Sequence, residues 1–293
     1  MNNGGPLRIL VAGAGGVLGR AVIDALRERG AWIRAGTRRP HPELAARIDD
    51  THLGDALAPD AWRGACDGID VVFSSLGASV DPSPLVGWRS YSRVDAPANR
   101  ALLAEAQRAG VRRFVYVSLI DGAGERGLDY AEGHERVVDS LRASGMACSI
   151  LRPTGFFAAM TVLVAFARRG FVPVFGDGRC ETNPVDERDL AAIAAREALS
   201  DAPGLREVEI GGPEVFTRRR IAEMACEALG RRPRLLHVPP ALARLIGHGT
   251  RLLNPRAGHF TLFATHVMTH DCLAPKLGTR RLVDAFREAA ARS

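Results

Sequence analysis

The stretch RILVAGAGGVLGRAVIDAL, residues 8–26, constrains the fold of this chain more than any other. A short run of branched apolar residues ends at Gly13, where the glycine-rich turn GAGGVLG begins, and an amphipathic helical pattern follows. Strand, glycine turn and helix in this order are typical of the first unit of a parallel sheet that binds a dinucleotide. The stretch therefore predicts an α/β protein with a nucleotide site at the carboxyl end of its first strand.

The residues of this turn have separate physical roles. Gly13 permits the tight turn, Gly15 or Gly16 lets the backbone approach a pyrophosphate, and Gly19 lets the helix pack against the strand. Backbone N–H groups at the start of the helix are expected to bind the anion. The predicted cofactor contacts in the turn are Gly13, Gly15, Gly16, Val17, Leu18 and Gly19.

The second predicted strand, AWIRAGTRRP, ends with Arg38 and Arg39, where the adenosine ribose of a dinucleotide would lie. Sites that prefer NAD usually place an Asp or Glu there to bind the 2′-hydroxyl. Two guanidinium groups instead match the oxygens of a 2′-phosphate. We therefore expect both arginines to bind NADP in preference to NAD, with two solvated arginines at a strand end as the alternative.

Strand and helix patterns continue to alternate as far as Pro153. Six such units with short loops predict a doubly wound parallel sheet. Beyond it, apolar helical stretches and turns rich in proline and glycine predict a smaller substrate region. We divide the chain into a dinucleotide-binding domain at 1–153 and a substrate region at 154–293. The two are expected to interleave, because a strand pattern at 206–212 is expected to return to the main sheet.

Composition restricts the partners and the cellular setting. The net charge of +6 is mild and its arginines are dispersed, which argues against a nucleic-acid partner. Five cysteines without a C-x-x-C pair predict reduced thiols. The start MNNGGPL predicts a short disordered leader instead of a signal peptide, and no apolar run reaches the length of a membrane span. These features predict a cytoplasmic protein with a small-molecule substrate and no membrane partner.

Further motifs follow in order along the chain. They are LGD at 53–55, GIDVVFSSLGAS at 68–79, AGVRRFVYVSL at 109–119, LRPTGFF at 151–157, GDGRCETNPVDERDLA at 176–191 and IGGPEVFT at 210–217. With the glycine turn and Arg38, this set resembles the atypical short-chain dehydrogenase/reductases, in the branch of NmrA-like proteins, isoflavone-reductase-like enzymes and divinyl-chlorophyllide vinyl reductases. The last two motifs are most similar to the vinyl reductases.

The resemblance implies a Rossmann fold and further cofactor contacts. It places the LGD aspartate near the adenine, the turn after the fourth strand under the cofactor, and the RPTG motif at the nicotinamide carboxamide. The implied contacts are Asp55, Ala56, Ser75, Leu76, Gly77, Pro153, Thr154 and Gly155.

Ordinary family members use a serine and a Tyr-x-x-x-Lys pair, in which the tyrosine protonates the substrate oxygen and the lysine lowers the tyrosine pKa. Here Ser118 and Tyr130 stand at a matching interval, but His134 replaces the lysine. Tyr130 and His134 extend the apolar stripe of their predicted helix, so we expect both to face the cofactor. These three residues are the candidate catalytic residues.

His134 leaves three interpretations open: it donates the proton, it substitutes for the lysine, or it is a core histidine in a site that has lost catalysis. Tyr130 could equally be a wall residue. Because imidazole activates a tyrosine less than lysine does, reduction of a conjugated alkene stands beside carbonyl reduction. The sequence predicts an NADP-preferring oxidoreductase acting on a largely apolar molecule, with a non-catalytic NADP(H)-sensing binding protein as the alternative.

Apolar side chains just beyond the RPTG motif are candidates for the substrate pocket, with core packing as the equal alternative. They are Phe156, Phe157 and Met160, and we add Asn183 as a possible polar wall residue. Asp186 and Thr217 are each expected to cap a helix. The stretch HVMTHDC at 266–272 lacks the glutamate of the zinc-protease pattern, so no metal site is predicted.

Overall fold

A computed structural model describes residues 5–58, 60–78, 88–120 and 124–292. The first four residues of the predicted leader lie outside these ranges. The strands are β1 Arg8–Ala12, β2 Trp32–Thr37, β3 Asp50–Leu53, β4 Val71–Ser74, β5 Arg113–Val117, β6 Ala147–Pro153, β7 Val172–Phe175, β8 Glu181–Thr182, β9 Leu205–Ile210, β10 Phe216–Thr217 and β11 Leu235–Val238. The α-helices are α1 Val17–Arg27, α2 Asp95–Arg108, α3 Asp129–Ala143, α4 Phe157–Arg168, α5 Glu187–Ala198, α6 Arg218–Glu227, α7 Pro240–Leu253, α8 Pro255–Met268 and α9 Leu282–Ala291.

Seven parallel strands form the main sheet in the order β3-β2-β1-β4-β5-β6-β9. The strand order reverses between β1 and β4, and in sheets of this kind the crevice at that point binds the ligand. The predicted doubly wound parallel sheet is therefore confirmed. The edge strand β9 pairs with β6, so residues beyond 154 also contribute to the sheet.

Helices cover both faces of the sheet because alternate residues of the buried strands point to opposite sides. Ile9 and Val11 belong to a core cluster shared with α1 and α5, whereas Leu10 belongs to a second cluster shared with α2 and α3. Apolar side chains dominate both layers, and the buried Ser149 of β6 is hydrogen-bonded to Arg113 and Glu197. The sheet is thereby fixed as a rigid platform for the loops at its carboxyl edge.

The chain beyond β6 adds a smaller layer beside that edge. Helices α4, α6 and α9 share an apolar cluster that includes Phe157, Met160, Ile221 and Phe286. The short strands pair as β7 with β11 and β8 with β10. Helix α7 packs on α8, which in turn packs on α3.

Two helix caps in this region were predicted from the sequence and are confirmed. The Asp186 carboxylate accepts a hydrogen bond from the Arg188 N–H at the start of α5, and the Thr217 hydroxyl accepts one from Arg220 at the start of α6. Within the described ranges, no helix is both long and apolar enough to cross a membrane.

Candidate active site

The glycine turn has the geometry of an anion cradle. Gly13 has a φ of +87°, which favours glycine, and its N–H donates to the Gly36 carbonyl over 3.1 Å. A Cβ on Gly19 would lie 2.2 Å from the Gly13 carbonyl oxygen, so the approach of α1 to the turn requires glycine. Helix α1 starts at Val17, and Leu18 is its second residue. No side chain caps this helix start, and its first turn contains no acidic residue. Its first N–H groups therefore remain available to an anion.

His41, which sequence analysis did not single out, lies against this turn. A Cβ on Gly15 would lie 2.3 Å from His41 Nε2, and His41 Nδ1 lies 2.9 Å from a Glu43 carboxylate oxygen. Gly16 forms the N-cap of α1 with an extended backbone. Nothing in the sequence pattern marks His41, because it lies in a loop without periodicity.

Arg38 and Arg39 directly follow β2, and both side chains are exposed. Neither guanidinium is in an ion pair or hydrogen bond with any residue that the structure describes. The Arg39 carbonyl accepts a hydrogen bond from the Thr37 hydroxyl, which closes a local turn at the strand end. Both positive charges are thus available to a ligand at the edge of the sheet.

The loops after β3 and β4 reach the same edge of the sheet. Asp55 is exposed and Ala56 is half-buried against the core. The Ser75 N–H donates to the Ala12 carbonyl over 3.1 Å, which brings the loop against the glycine turn. The loop continues with Leu76 and Gly77.

Asp95 is a buried carboxyl group at the start of α2 that sequence analysis missed. Its Oδ1 accepts a hydrogen bond of 2.6 Å from the Ala78 N–H, directly after Gly77. Its Oδ2 is buried and has no hydrogen-bond partner among the described residues. Burial raises the pKa of Asp95 to about 7. In the sequence it resembles an ordinary acidic residue in a first helical turn, so its burial gives no signal there.

His134 has both ring nitrogens directed at protein groups. Its Nδ1 lies 2.8 Å from the Tyr116 hydroxyl of β5, and its Nε2 lies 4.0 Å from Asp95 Oδ2. Burial, with a smaller contribution from the nearby Arg152 guanidinium, lowers the pKa of His134 to about 4. The imidazole is therefore neutral at pH 7.

Tyr130 lies one helical turn before His134 on α3, with the two ring centres 5.0 Å apart. Its ring also packs against Tyr91 and against Phe263 of α8, at 4.8 and 4.4 Å between ring centres. Burial raises the pKa of Tyr130 well above its usual range. The Tyr130 hydroxyl has no hydrogen-bond partner in the described part of the chain, and neither has the buried hydroxyl of Ser118, which follows β5. Two hydroxyl groups on neighbouring elements therefore have unused hydrogen-bonding capacity.

Three apolar residues that the sequence offered as pocket walls are core residues. Phe157 and Met160 are buried in the cluster of α4, α6 and α9, and Phe156 packs against the core of the main sheet. Val164 of α4 is buried in the same cluster as Phe157 and Met160, so these side chains form one packed face of the helix. This packing favours the stated alternative of core packing for Phe157 and Met160, and the substrate role of the three residues stays a prediction.

Asn183 is also occupied structurally. Its Nδ2 donates to the carbonyls of Gly212 and Ala274 at 3.2 and 2.8 Å, and its Oδ1 accepts from the Ala274 N–H at 3.1 Å. Its own carbonyl accepts a hydrogen bond from the Thr154 hydroxyl. The side chain ties three segments together, and both amide protons are engaged within the fold.

The loop after β6 carries the remaining predicted contacts. The carbonyl of Pro153 accepts a hydrogen bond from the Ile120 N–H, and the carbonyl of Gly155 accepts one from Val185. The Cys272 thiol donates to the Thr154 carbonyl over 3.1 Å. The loops after β5 and β6 and the segment after α8 therefore meet at this point.

A cavity of about 360 Å³ adjoins that meeting point. Its walls are Ile120, Gly124, Glu125, His266, Val267, His270, Asp271 and Cys272. His266 Nε2 lies 3.4 Å from a Glu125 carboxylate oxygen, and burial lowers the pKa of His266. Among the described residues, no group of three or more His, Cys, Asp or Glu side chains could hold a metal ion.

Comparison with known proteins agrees with this geometry. The model of a family described as NAD(P)H-binding matches residues 13–196. The chain is 31% identical to the chloroplastic divinyl chlorophyllide a 8-vinyl-reductase of Oryza sativa subsp. indica over 79% of this chain and 61% of that protein. The chain spans about three fifths of the length of this protein and of the same enzyme from Zea mays and Arabidopsis thaliana.

Solved structures share the fold over nearly the whole chain. An NADPH-dependent quinone oxidoreductase from Escherichia coli, complexed with NADPH, superposes with a TM-score of 0.74 at 21% identity, covering 96% of this chain and 99% of that one. A triphenylmethane reductase from Citrobacter sp., complexed with NADP(H), gives a TM-score of 0.77 at 18% identity with the same coverage of each chain. The Rossmann fold and the family resemblance predicted from the sequence are confirmed, and the chain belongs to the NAD(P)H-binding family.

Proposed function

We propose that the protein is an NADPH-dependent reductase that transfers hydride to a largely apolar small molecule with a carbonyl group or a conjugated alkene. The observation that carries the proposal is the pair of exposed guanidinium groups of Arg38 and Arg39, which have no partner among the described residues, at the same sheet edge as the uncapped N-terminus of α1. Together they present positive charge to two separate phosphate positions of one dinucleotide. The 2′-phosphate is the group that distinguishes NADP from NAD.

The residues present fit this cofactor. A Cβ on Gly15 would collide with the His41 ring and one on Gly19 with the Gly13 carbonyl oxygen, so the turn can only take this tight form with glycine at both positions. The first N–H groups of α1 would bind the pyrophosphate, and Asp55 would lie near the adenine. When bound in its reduced form, the nicotinamide supplies the hydride. Thr154 and Gly155 would border its carboxamide.

The two unpaired hydroxyl groups would orient the acceptor. Tyr130 keeps its proton at neutral pH because burial raises its pKa, so its hydroxyl donates a hydrogen bond where charge develops on the substrate. Ser118 would provide a second donor. His134 does not contact the substrate in this scheme, since Tyr116 and Asp95 face its two nitrogens. It acts as a positioning residue that packs beside Tyr130.

The class of hydride acceptor follows from the absence of a lysine at position 134, beside Tyr130. A tyrosine with a raised pKa is a weak acid, so it favours acceptors that delocalise negative charge after hydride addition. Conjugated enones and quinones have this property, and an extended aromatic cation needs no proton at all, because hydride addition to it gives a neutral product. The relatives and structural neighbours are named for reductions of a vinyl group, of quinones and of triphenylmethane dyes, which supports the same class.

The test measures affinity and turnover separately. Replacing Arg38 and Arg39 by alanine should raise the Kd for NADPH by about tenfold or more and leave the Kd for NADH unchanged, since a charge-assisted hydrogen bond contributes about 1.5–3 kcal/mol. Arg179→Ala is the matched control, because Arg179 is similarly exposed and lies in the loop after β7. Oxidation of NADPH is then followed with a panel of enones, quinones and triphenylmethane dyes. Equal affinities of the unchanged protein for NADPH and NADH would refute the cofactor assignment.

One observation favours the alternative of a non-catalytic NADP(H)-sensing protein. Where the family pattern has a lysine, His134 is neutral and bonded to Tyr116. A protein that binds NADPH tightly, turns over no acceptor in the panel, and associates with a partner in one cofactor state would establish this alternative.

A further inference from the structure

One long segment of the chain contains no acidic residue. Between Glu227 and Asp271 the sequence has no Asp or Glu, although the whole chain has 33 of them against 39 basic residues. The same segment carries six arginines, at 231, 232, 234, 244, 251 and 256. It includes β11, α7 and α8, and we refer to residues 228–270 as the basic hairpin, this hairpin below. The positive charge is therefore local to this hairpin and does not follow from the overall composition.

Helix α7 in this segment presents large apolar side chains to solvent. Leu252 is 84% exposed, Leu253 76% and Leu245 69%, and Leu242 and Ile246 are also about half or more exposed. Their spacings of three, four and seven residues place them on one face of the helix. Scattered apolar residues are ordinary on a protein surface, but five on one short helix form a contiguous patch.

These side chains cannot be buried by a rotation of α7 on its neighbour. The face toward α8 is made of small residues, and only Ala243 and Gly247 of α7 are buried. A Cβ on Gly247 would already lie 2.9 Å from the Leu262 side chain of α8. The close packing of the two helices therefore fixes the leucine face outward.

Basic side chains lie beside the leucine face. Arg244, His248 and Arg251 are four and seven residues apart on α7, and all three are exposed. They line a groove of about 240 Å³ toward the start of α3, where the Asp129 carboxylate is held by the N–H groups of Tyr91 and Ser92. Apolar residues on one face with arginines beside them are the pattern of a helix that lies in the interface of an anionic bilayer.

We propose that α7 docks on the surface of a membrane that contains anionic phospholipids, with its leucine face inserted among the acyl chains and its arginines at the headgroups. Charge decides between a membrane and a second copy of the chain. A symmetric dimer through this face would bring two acid-free basic helices together, which is unfavourable, whereas anionic headgroups complement them. The proposal departs from the expectation, drawn from composition, that the protein has no membrane partner.

The test is flotation of the full chain with lipid vesicles. We expect binding to vesicles of phosphatidylcholine and phosphatidylglycerol in a 3:1 ratio, at least tenfold weaker binding to phosphatidylcholine alone, and loss of binding at high salt. The double variant Leu252→Glu, Leu253→Glu and the double variant Arg244→Glu, Arg251→Glu should each weaken binding at least tenfold. Val162→Glu on α4 is the matched control for the leucines, and Arg287→Glu on α9 for the arginines, because both residues are exposed outside this hairpin.

Folding is checked by the thermal midpoint and by NADPH affinity, which the variants should leave unchanged because the altered side chains are exposed. No flotation with anionic vesicles, or flotation that both double variants retain, overturns the proposal. Concentration-dependent dimerisation that the leucine variant abolishes, in a protein that does not bind vesicles, assigns the face to a second copy instead and overturns it as well.

Discussion

The pair formed by Asp95 and His134 predicts a specific pH dependence of stability. Unfolding returns the pKa of His134 from about 4 to 6.5 and that of Asp95 from about 7 to 3.8. Between about pH 4 and 6.5 the unfolded state therefore binds one more proton at the histidine and one fewer at the aspartate. The two contributions have opposite signs, so in the wild-type protein they cancel over this range.

Single substitutions remove the cancellation. In Asp95→Asn only the histidine remains, so the free energy of unfolding should fall, relative to wild type, as the pH is lowered from 6.5 to 4. One proton changes this free energy by about 1.4 kcal/mol per pH unit, which gives a total near 3 kcal/mol. In His134→Gln only the aspartate remains, and the free energy of unfolding should instead fall as the pH rises from about 4 to 7.

The assay is urea unfolding of the three proteins at half-unit intervals from pH 4.5 to 7. Differences from wild type at each pH cancel the contributions of all other titrating groups. Two difference curves with slopes of opposite sign are expected. Curves parallel to that of wild type would show that neither group is perturbed by burial as described, and the account of a neutral His134 beside a protonated Asp95 would be wrong.

Three further outcomes are expected. Tyr130→Phe should lower kcat at least tenfold with little change in NADPH affinity, and Ser118→Ala should have a smaller effect; an active protein in which both changes are silent would show that neither hydroxyl group contacts the acceptor. Asn183→Ala should lower the free energy of unfolding by about 2–4 kcal/mol, because buried partners lose their hydrogen bonds, and a change confined to substrate KM would instead indicate a pocket residue. Gly19→Ala should weaken NADPH binding at least tenfold or destabilise the fold. Gly127→Ala should do neither, since a Cβ at that position meets nothing within 4 Å. Equal behaviour of the two variants would contradict the close approach of α1 to the glycine turn.

The sequence predicted the parallel sheet, its nucleotide-binding turn and two helix caps well because their signals are local. The glycine turn, the buried strands and the helix caps at Asp186 and Thr217 depend on neighbours within a few residues. Their physical requirements, such as a left-handed φ at Gly13, are visible in residue type. Residue type and short-range spacing were therefore enough to identify the glycine turn, the strands and the two caps without knowledge of the tertiary contacts.

The parts that sequence reasoning missed depend on long-range packing. Phe157 and Met160 follow the RPTG motif directly, but their direction is set by α6 and α9, which come more than fifty residues later. Asp95 reaches His134 only because α2 and α3 pack side by side. Asn183 is engaged by Ala274 in a segment 91 residues away. No spacing rule could have shown these contacts.

The absence of the family lysine has a consequence for the reaction. The chain has one lysine, Lys276. Its backbone forms a β-bridge with Gly211, directly after β9, so it does not lie on α3. The buried Arg152 cannot substitute for it, since its guanidinium is paired with Glu135 and Glu207. Tyr130, whose pKa burial has already raised, therefore lacks the charge that would make it a stronger acid. A hydroxyl of this kind can stabilise a delocalised anion through a hydrogen bond but transfers its proton poorly, so we expect conjugated acceptors to be reduced faster than isolated ketones. A higher kcat/KM for an unconjugated ketone than for the matching enone would contradict this reasoning.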